Sequence, residues 1–564
     1  MIHKIKHHIQ KLRHKELPSQ LKEIKQFFSG EILSDQKTRT TFSHDTSLFE
    51  VMPQAVLYPK GVDDVRELVK YVSRNKKVQP DLSITARSGG TDMSGGAIND
   101  SLILVFEKHF KKIGKVQGNK IHVQPGVYYR DFEPVTLKSK KLMPSYPASR
   151  GICAVGGIVA NNSGGEKSLA YGKTENYVAS LKVVLADGNE YVVKPLDRAG
   201  LKKKLAQKNY EGEIYRKVFN LVDKNYDLLK DAKPKVSKNS TGYLLWDIYD
   251  RQTGIFDLTK TFIGAQGTLG LITDIEFKLV DAKQNSGLLV AYVPNLDHLG
   301  DIIKTVVATK PTSFETFDDH TFGLAIRFFP TFRKTLGWKE FIKLALSLIP
   351  DVLMLYKGMP KLIMLVEYEG ENTSEIKTKL DELHQVLEPF DMATQLAETE
   401  AKSKKYWLMR RESFNLLRKN VKYKHTAPFI DDLVVPPEHM PEFLPKLRPI
   451  LEKYDLLYTI AGHMGDGNFH IIPLMDLTKK SERDKITKCM EEVDSLVIKF
   501  KGSLSGEHND GLIRGPFLNR MYSPGVVKLF HEVKNIFDPQ NIFNPHKKVD
   551  ARWDWSYKHM RGHF

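Results

Sequence analysis

Cysteine is nearly missing from this 564-residue chain, with only Cys153 and Cys489, far apart. That excludes a disulfide framework, and also a thiolate-held iron–sulfur cluster, which takes about four cysteines. A reducing cytoplasm is the expected setting. Long apolar runs are lacking too: no stretch reaches the roughly 18 residues that cross a bilayer. The nearest, 341–356, is broken by Lys343, Pro350 and Asp351. The basic opening MIHKIKHHIQKLRHKEL has neither the apolar core nor the small-residue cleavage site of a secretory signal. Neither GxGxxG nor a Walker A loop occurs, and no nucleic-acid module is found, so no nucleic-acid partner is expected. Internal repeats and low-complexity tracts are absent as well.

Acids are outnumbered: 68 Asp and Glu face 85 Lys and Arg, a formal charge of +17 that calls for an anionic partner. Segment 327–361 sets aromatics and leucines among seven basic residues and only two acids. Such a mixture suits an anionic membrane surface, on the inner face of the membrane for a cytoplasmic protein. The length divides into two or three domains. Residues 1–45 read as a basic helical lead-in. From 46 to 282, short β-branched runs alternate with helical segments: Val62–Asn75 has apolar residues at helical spacing, and 83–87, 102–106, 120–123 and 181–186 read as strands. Between 283 and 500 glycine thins out, and strands at 287–293 and 362–369 alternate with helices such as 372–387, as in a second, antiparallel-sheet domain. Residues 501–564 are turn-rich and expected to pack back on an earlier domain. The class is α+β.

Three glycine-rich stretches punctuate the N-terminal half: RSGGTDMSGG at 87–96, GGIVANNSGG at 156–165 and GAQGTLGLIT at 264–273. Loops of this kind bring backbone N–H groups close to a pyrophosphate. One alone means little; three between strand-like runs point to a bound cofactor. Cys153, beside the second loop, reads as a small buried thiol.

Near the C-terminus, AGHMGDGNFHI (461–471) sets two histidines around a Gly-Asp-Gly-Asn stretch, and GSLSGEHNDG (502–511) adds a Glu-His pair. Asp-Gly is a strong turn signal, and residues facing each other across a hairpin have Cβ atoms roughly 5 Å apart. His463 and His470 are thus placed to share one ion, with Glu507 as third ligand and a coordination position left open, as in catalytic His/His/carboxylate sites. The donor set suits zinc, and also manganese, iron or cobalt. Asn468 either assists there or shapes the turn.

Taken together, Pro53–Val56, the glycine loops, Gln124–Gly126, 146–172 and the C-terminal motifs resemble the FAD-linked oxidases of the vanillyl-alcohol-oxidase/PCMH fold. The likeness runs over residues 45–548, and is to the D-lactate dehydrogenase, glycolate oxidase GlcD-like and D-2-hydroxyglutarate dehydrogenase branch. It implies a bipartite PCMH-type FAD-binding domain with an inserted cap. Gly89, Gly90, Thr91, Ser94 and Gly95 would cradle the FAD pyrophosphate. Pro147, Ser149, Gly156, Gly157, Ala160, Asn161, Ser163 and Gly164 would run along flavin and ribityl chain, and Gly270 and Ile272 would lie near the adenine. Thr91 stands where histidyl-linked relatives carry histidine, which implies non-covalent FAD. The family's H-x-G-D-G-x-x-H and G-E-H-G motifs make His463, His470 and Glu507 the ligands of a divalent metal and His508 the general base; Asn509 replaces the last glycine. Segment 407–412 (WLMRRE) resembles the family's substrate-arginine segment, with Arg410 the first choice and Arg411 the second. The terminal FDPQNIFNP resembles the family's closing motif, but Pro545–His546 interrupts the usual Asn-Pro-Gly-Lys, so Lys547 is not placed in the site. The implied reaction is FAD-dependent, metal-assisted oxidation of a D-2-hydroxy acid (D-lactate, glycolate or D-2-hydroxyglutarate type). The acceptor would be a quinone, a cytochrome or an electron-transfer protein. The alternative is a flavin-dependent alkyl transferase of the same fold.

Overall fold

The computed structural model describes residues 19–319, 321, 323, 337–339, 341–342, 358–399, 402–407 and 424–562. The first sheet holds, in spatial order, Glu31–Leu33, Ala55–Tyr58, Leu102–Val105 and Ile84–Arg87. Its last three strands are parallel and its first is antiparallel to its neighbour. The crossover is the helix Val62–Asn75. Its first turn carries Asp63 and Asp64, favourable at the positive end of the helix dipole. Val65, Leu68, Val69 and Val72 are spaced to bury one face. The chain leaves Ile84–Arg87 straight into the loop 88–96, so that loop lies at the carboxyl end of a parallel strand, where α/β sheets place their ligands.

A second sheet is antiparallel: Lys120–Val123, Leu271–Lys278, Val178–Val184 and Glu190–Val193. Leu271–Lys278 alternates buried and half-buried residues, the pattern of a strand with one face on a core. The short helix Val155–Asn161, inside the second glycine stretch, packs Val155, Ile158 and Val159 into that core.

The third sheet has eight strands, with the order Ala393–Ala397, Asn285–Val293, Leu362–Gly370, Ser313–Asp318, Leu457–His463, Asn468–Met475 and His425–Thr426, and with Leu433–Val434 also paired to Asn468–Met475. All its pairings are antiparallel. Helices Leu299–Ala308, Thr373–Leu387, Met440–Lys453 and Lys480–Lys499 bury their apolar stripes in the core of this layer. The C-terminal residues run back to the first sheet. Ile542 accepts a hydrogen bond from Ile84, and Asn544 returns one to the Ile84 carbonyl.

Within the first 45 residues, Glu31–Leu33 is an edge strand of the first sheet, and Leu21, Ile24 and Phe28 are buried beneath it. Val434 and Ser503 exchange backbone hydrogen bonds, tying the last segment to the third sheet as well as to the first. Segment 327–361 lies almost entirely outside the described residues; of those it contributes, Trp338 and Ile342 are exposed.

Candidate active site

One cavity of about 650 Å³ runs from the glycine loops to the third sheet. Gly89, Gly90, Thr91, Pro147, Ser149, Gly156, Gly157, Ala160, Asn161, Ser163, Gly270 and Ile272 line it. Ser94, Gly95 and Gly164 stand behind the wall rather than on it. Ser94 is fully buried by hydrogen bonds with Asp92 and Gln266, Gly95 is pressed against Leu512, and Gly164 against Ser168 and Glu507. The wall needs glycine for a physical reason at two places. A Cβ on Gly89 would sit 2.8 Å from the Ile152 carbonyl oxygen, and one on Gly156 would sit 2.6 Å from Pro125. Removing those methyls is what lets the two loops close against their neighbours and leave a cleft.

The three loops are held in register by side chains that the sequence did not single out. Asp92 accepts from the backbone of Ser94 (3.0 Å) and Gly96 (2.6 Å) and from the Asn161 amide (2.7 Å). Gln266 donates to Ser94 and accepts from Gly511 N at 2.8 Å. Asn544, from the terminal motif, donates to the carbonyls of Gly96 (2.8 Å) and Gln266 (2.7 Å) and accepts from Thr85 Oγ1. A cleft of this size, walled by close-packed backbone, fits an extended dinucleotide. Cys153 lines it but is nearly buried, and burial pushes its thiol up to about 12.

At the other end, the cavity floor is the face of the third sheet. The hairpin Leu457–His463/Asn468–Met475 turns through a 3-10 segment, Met464–Asp466, and left-handed Gly467 (φ +67°). His463 pairs with Asn468 and His470 with Ala461, so the two histidines are not directly opposed as the turn signal suggested. They are diagonal neighbours on one face, with ring centroids 5.2 Å apart. Thr459, Ala461 and His463 line this floor, together with Ile472 and His470, which pair with the first two, and with Thr426 from the neighbouring strand. Glu507 and His508 arrive from the C-terminal segment. The His508 ring stacks on His470 at 5.1 Å between centroids.

His463, His470 and Glu507 offer donor atoms that lie within 4.8 Å of one another. His463 Nε2 is 3.3 Å from Glu507 Oε1, close to the roughly 3.4 Å expected of two donors on one tetrahedral ion with bonds of about 2.1 Å. Behind each histidine stands a carboxylate. Glu315 contacts His463 Nδ1, and Asp431 lies 3.1 Å from His470 Nδ1. Such partners fix a ligating imidazole's tautomer and turn its other nitrogen to the metal. The donor chemistry therefore fits a divalent ion. Lys238, fully buried, reaches Glu507 at 2.6 Å and Asp466 at 3.1 Å. Burial pushes Glu507 up, but Lys238 and His463 outweigh it and hold the carboxyl at about 2, so it is a carboxylate throughout the neutral range. Burial pulls His508 down, yet Asp431 and Asp432 push it to about 9.

The Glu-His loop is set by Asp432, itself left-handed (φ +70°), which accepts from the backbone N–H groups of Glu507 (2.8 Å) and His508 (2.7 Å). Asn468 is fully buried and donates to Asp432 and Leu433, so it shapes the loop and does not face the cavity. Asn509, where the pattern has glycine, takes φ +70° and bonds the carbonyls of Asn161 and Gly264. Asn is among the few side chains that tolerate that region; here it also ties the Glu-His loop to the second and third glycine stretches. Arg410 and Arg411 lie outside the described residues. Glu315, Asp431, Asp432 and Lys238 escaped the sequence reading. The adjacent acids of DDLVVPP, before an apolar strand, were the one legible signal.

The glycine-walled cleft thus faces a carboxylate-backed imidazole pair. Comparisons with known proteins give the class. The FAD binding domain family matches residues 53–194, and the family of FAD linked oxidases, C-terminal domain, matches residues 282–548. The chain belongs to the FAD-linked oxidases. It is 28% identical over 530 residues to a D-2-hydroxyglutarate dehydrogenase of Pseudomonas putida, covering 92% of this chain and 50% of that protein, so it spans about half the length of that relative. Against the glycolate oxidase subunit GlcD of Bacillus subtilis it is 26% identical, with 91% and 93% covered. The crystal structure of p-cresol methylhydroxylase shares the fold, with a TM-score of 0.66 at 15% identity, covering 96% of this chain and 99% of that one.

Proposed function

We propose that the protein oxidises a D-2-hydroxy acid to the 2-oxo acid, using non-covalent FAD and a divalent metal ion. The observation that carries this reading is the join of two features in one cavity: a glycine-walled dinucleotide cleft, and a His/His/Glu donor set with a third histidine beside it. The names of the relatives support the substrate class.

Bound FAD would supply a two-electron acceptor for the substrate's α-hydrogen as hydride. A divalent ion on His463, His470 and Glu507 would supply Lewis acidity at the hydroxyl and carboxylate oxygens. His508 takes the hydroxyl proton, completing the loss of one hydride and one proton that turns the alcohol into a ketone. For that step the imidazole must be neutral. Asp431 and Asp432 hold it protonated in the ion-free site; a divalent charge next to the stacked His470 acts in the opposite sense. Arg410 is assigned to the substrate carboxylate, which suits a planar two-pronged donor. Gly89, Gly90, Thr91 and the 156–163 segment are assigned to the cofactor, with Thr91 offering no histidyl attachment.

The acceptor assigned to the electrons that bound FAD would take up is a quinone, a cytochrome or an electron-transfer protein. No helix among the described residues is long and apolar enough to cross a membrane. Contact with an anionic membrane surface is assigned to segment 327–361, whose described Trp338 and Ile342 are exposed. An anaerobic panel of D- and L-2-hydroxy acids tests the reading: the yellow protein is bleached by a D-acid and not by its L-isomer. A protein that takes up no FAD, or that no D-acid reduces, defeats it.

A further inference from the structure

We infer that Asp431 is a positioning residue that links the metal ligand His470 to the base His508, holding one imidazole with each carboxylate oxygen. This rests on the proposed function for the roles of the two histidines, but the geometry stands without it. Oδ1 lies 3.1 Å from His470 Nδ1 and Oδ2 lies 2.6 Å from His508 Nδ1. The first is a hydrogen bond; the second is an ion-pair contact, close but not aligned as a hydrogen bond. The residue is fully buried, so water does not compete for either oxygen. Its backbone is fixed as well, since its carbonyl accepts from the Arg514 guanidinium and its neighbour Asp432 holds the 507–508 backbone.

The consequence is geometric. With Nδ1 of both rings turned to one carboxylate, the remaining nitrogens of both rings are free for the cavity that His470 and His508 line. The rings stack at 5.1 Å and 24°, so neither swings without displacing the other. A ligand pinned to an ion thereby steadies the base through a single side chain. His463 has its own carboxylate, Glu315, and takes no part in this link.

Asp431→Asn and Asp431→Ser, prepared with FAD, provide the test. In Asn, one ring loses its acceptor; in Ser, a single short acceptor remains. Zn²⁺ competition against a chelator should show affinity about 10- to 100-fold weaker than wild type, as for other outer-shell partners of ligating histidines. At saturating Zn²⁺ the anaerobic rate of flavin reduction by the D-acid should stay about 100-fold or more below wild type, with a larger solvent deuterium isotope effect, since misaligned proton transfer forfeits a general-base contribution of about 10²–10⁴. In a His508→Ala background the same substitution should change that rate less than about 3-fold, the sign of residues acting as one unit. Full recovery with saturating Zn²⁺ would confine Asp431 to His470 and overturn the link. An undiminished loss in the His508→Ala background would overturn it too, and loss of FAD in both variants would assign Asp431 to the fold instead. A wild-type flavin that no 2-hydroxy acid reduces defeats the proposed function, while the substrate-free Zn²⁺ comparison still decides whether Asp431 supports His470.

Discussion

His508 is the proposed base, and its backbone N–H donates to Asp432 rather than to a glycine loop. His508→Ala should therefore keep its flavin spectrum while the rate of reduction by the D-acid falls about 10²- to 10⁴-fold, followed by anaerobic stopped-flow absorbance. A rate within a few-fold of wild type would remove it as the base. Gly89 sits at the opposite end of the cavity and answers a different question. Gly89→Ala puts a methyl 2.8 Å from the Ile152 carbonyl, a backbone atom that has little room to yield. Its FAD dissociation constant, read by fluorescence titration, should rise at least about 10-fold, with little change in reduction rate of the fraction that stays loaded. At this scale the motifs were legible in the sequence, and His463, His470, Glu507 and His508 line one cavity. Their partners were illegible because they come from far along the chain: Glu315 is 148 residues from His463, and Lys238 is 269 from Glu507. No local pattern marks a lysine in KVSKNSTGY as the counter-ion of a glutamate in another layer.

Among elements, the most periodic helix was readable to the residue and several short strands to within one. Val62–Asn75 is a helix over the bounds that its apolar spacing and first-turn acids predict. The runs at 84–87, 102–105 and 120–123 are strands. The hairpin carrying the two histidines was readable as a hairpin but not in register. Its 3-10 turn sets His463 against Asn468 rather than His470, and turn length fixes register where composition does not. The terminal FDPQNIFNP run, which reads as turns, proves to be a clasp. Asp538 accepts from the backbone of Ile542 and Phe543, and fully buried Asn544 joins Thr85, Gly96 and Gln266. Asn544→Ala leaves two carbonyls and a hydroxyl unmatched, at about 1–3 kcal/mol each at most. The melting temperature should drop by several degrees and bound FAD should leave more readily, measured by flavin fluorescence on heating. An unchanged melting curve would mean the clasp does not hold the loops.

For the whole molecule, patterning along the chain bounded the fold class correctly as α+β layers. What composition could not convey is interleaving. A strand from the first 45 residues edges the first sheet, while Glu507 and His508 line the cavity and Asn544 bonds two of the glycine loops. The net charge of +17 also acts at this scale. Sedimentation with vesicles of anionic phospholipid should pull down the protein in low salt and release it as salt rises, and deletion of 327–361 should abolish binding. Equal binding by the deletion variant would move the contact elsewhere on the basic surface.

The most direct test of the central claim uses one anaerobic sample of FAD-loaded protein stripped of metal with a chelator, then titrated with Zn²⁺ or Mn²⁺ in the presence of a D-2-hydroxy acid. Bleaching of the flavin that is slow before the ion is added, saturates at one ion per chain, and vanishes in the His463→Ala variant is the predicted result. Full-speed bleaching in the stripped protein would contradict a metal-assisted reaction on the imidazole floor.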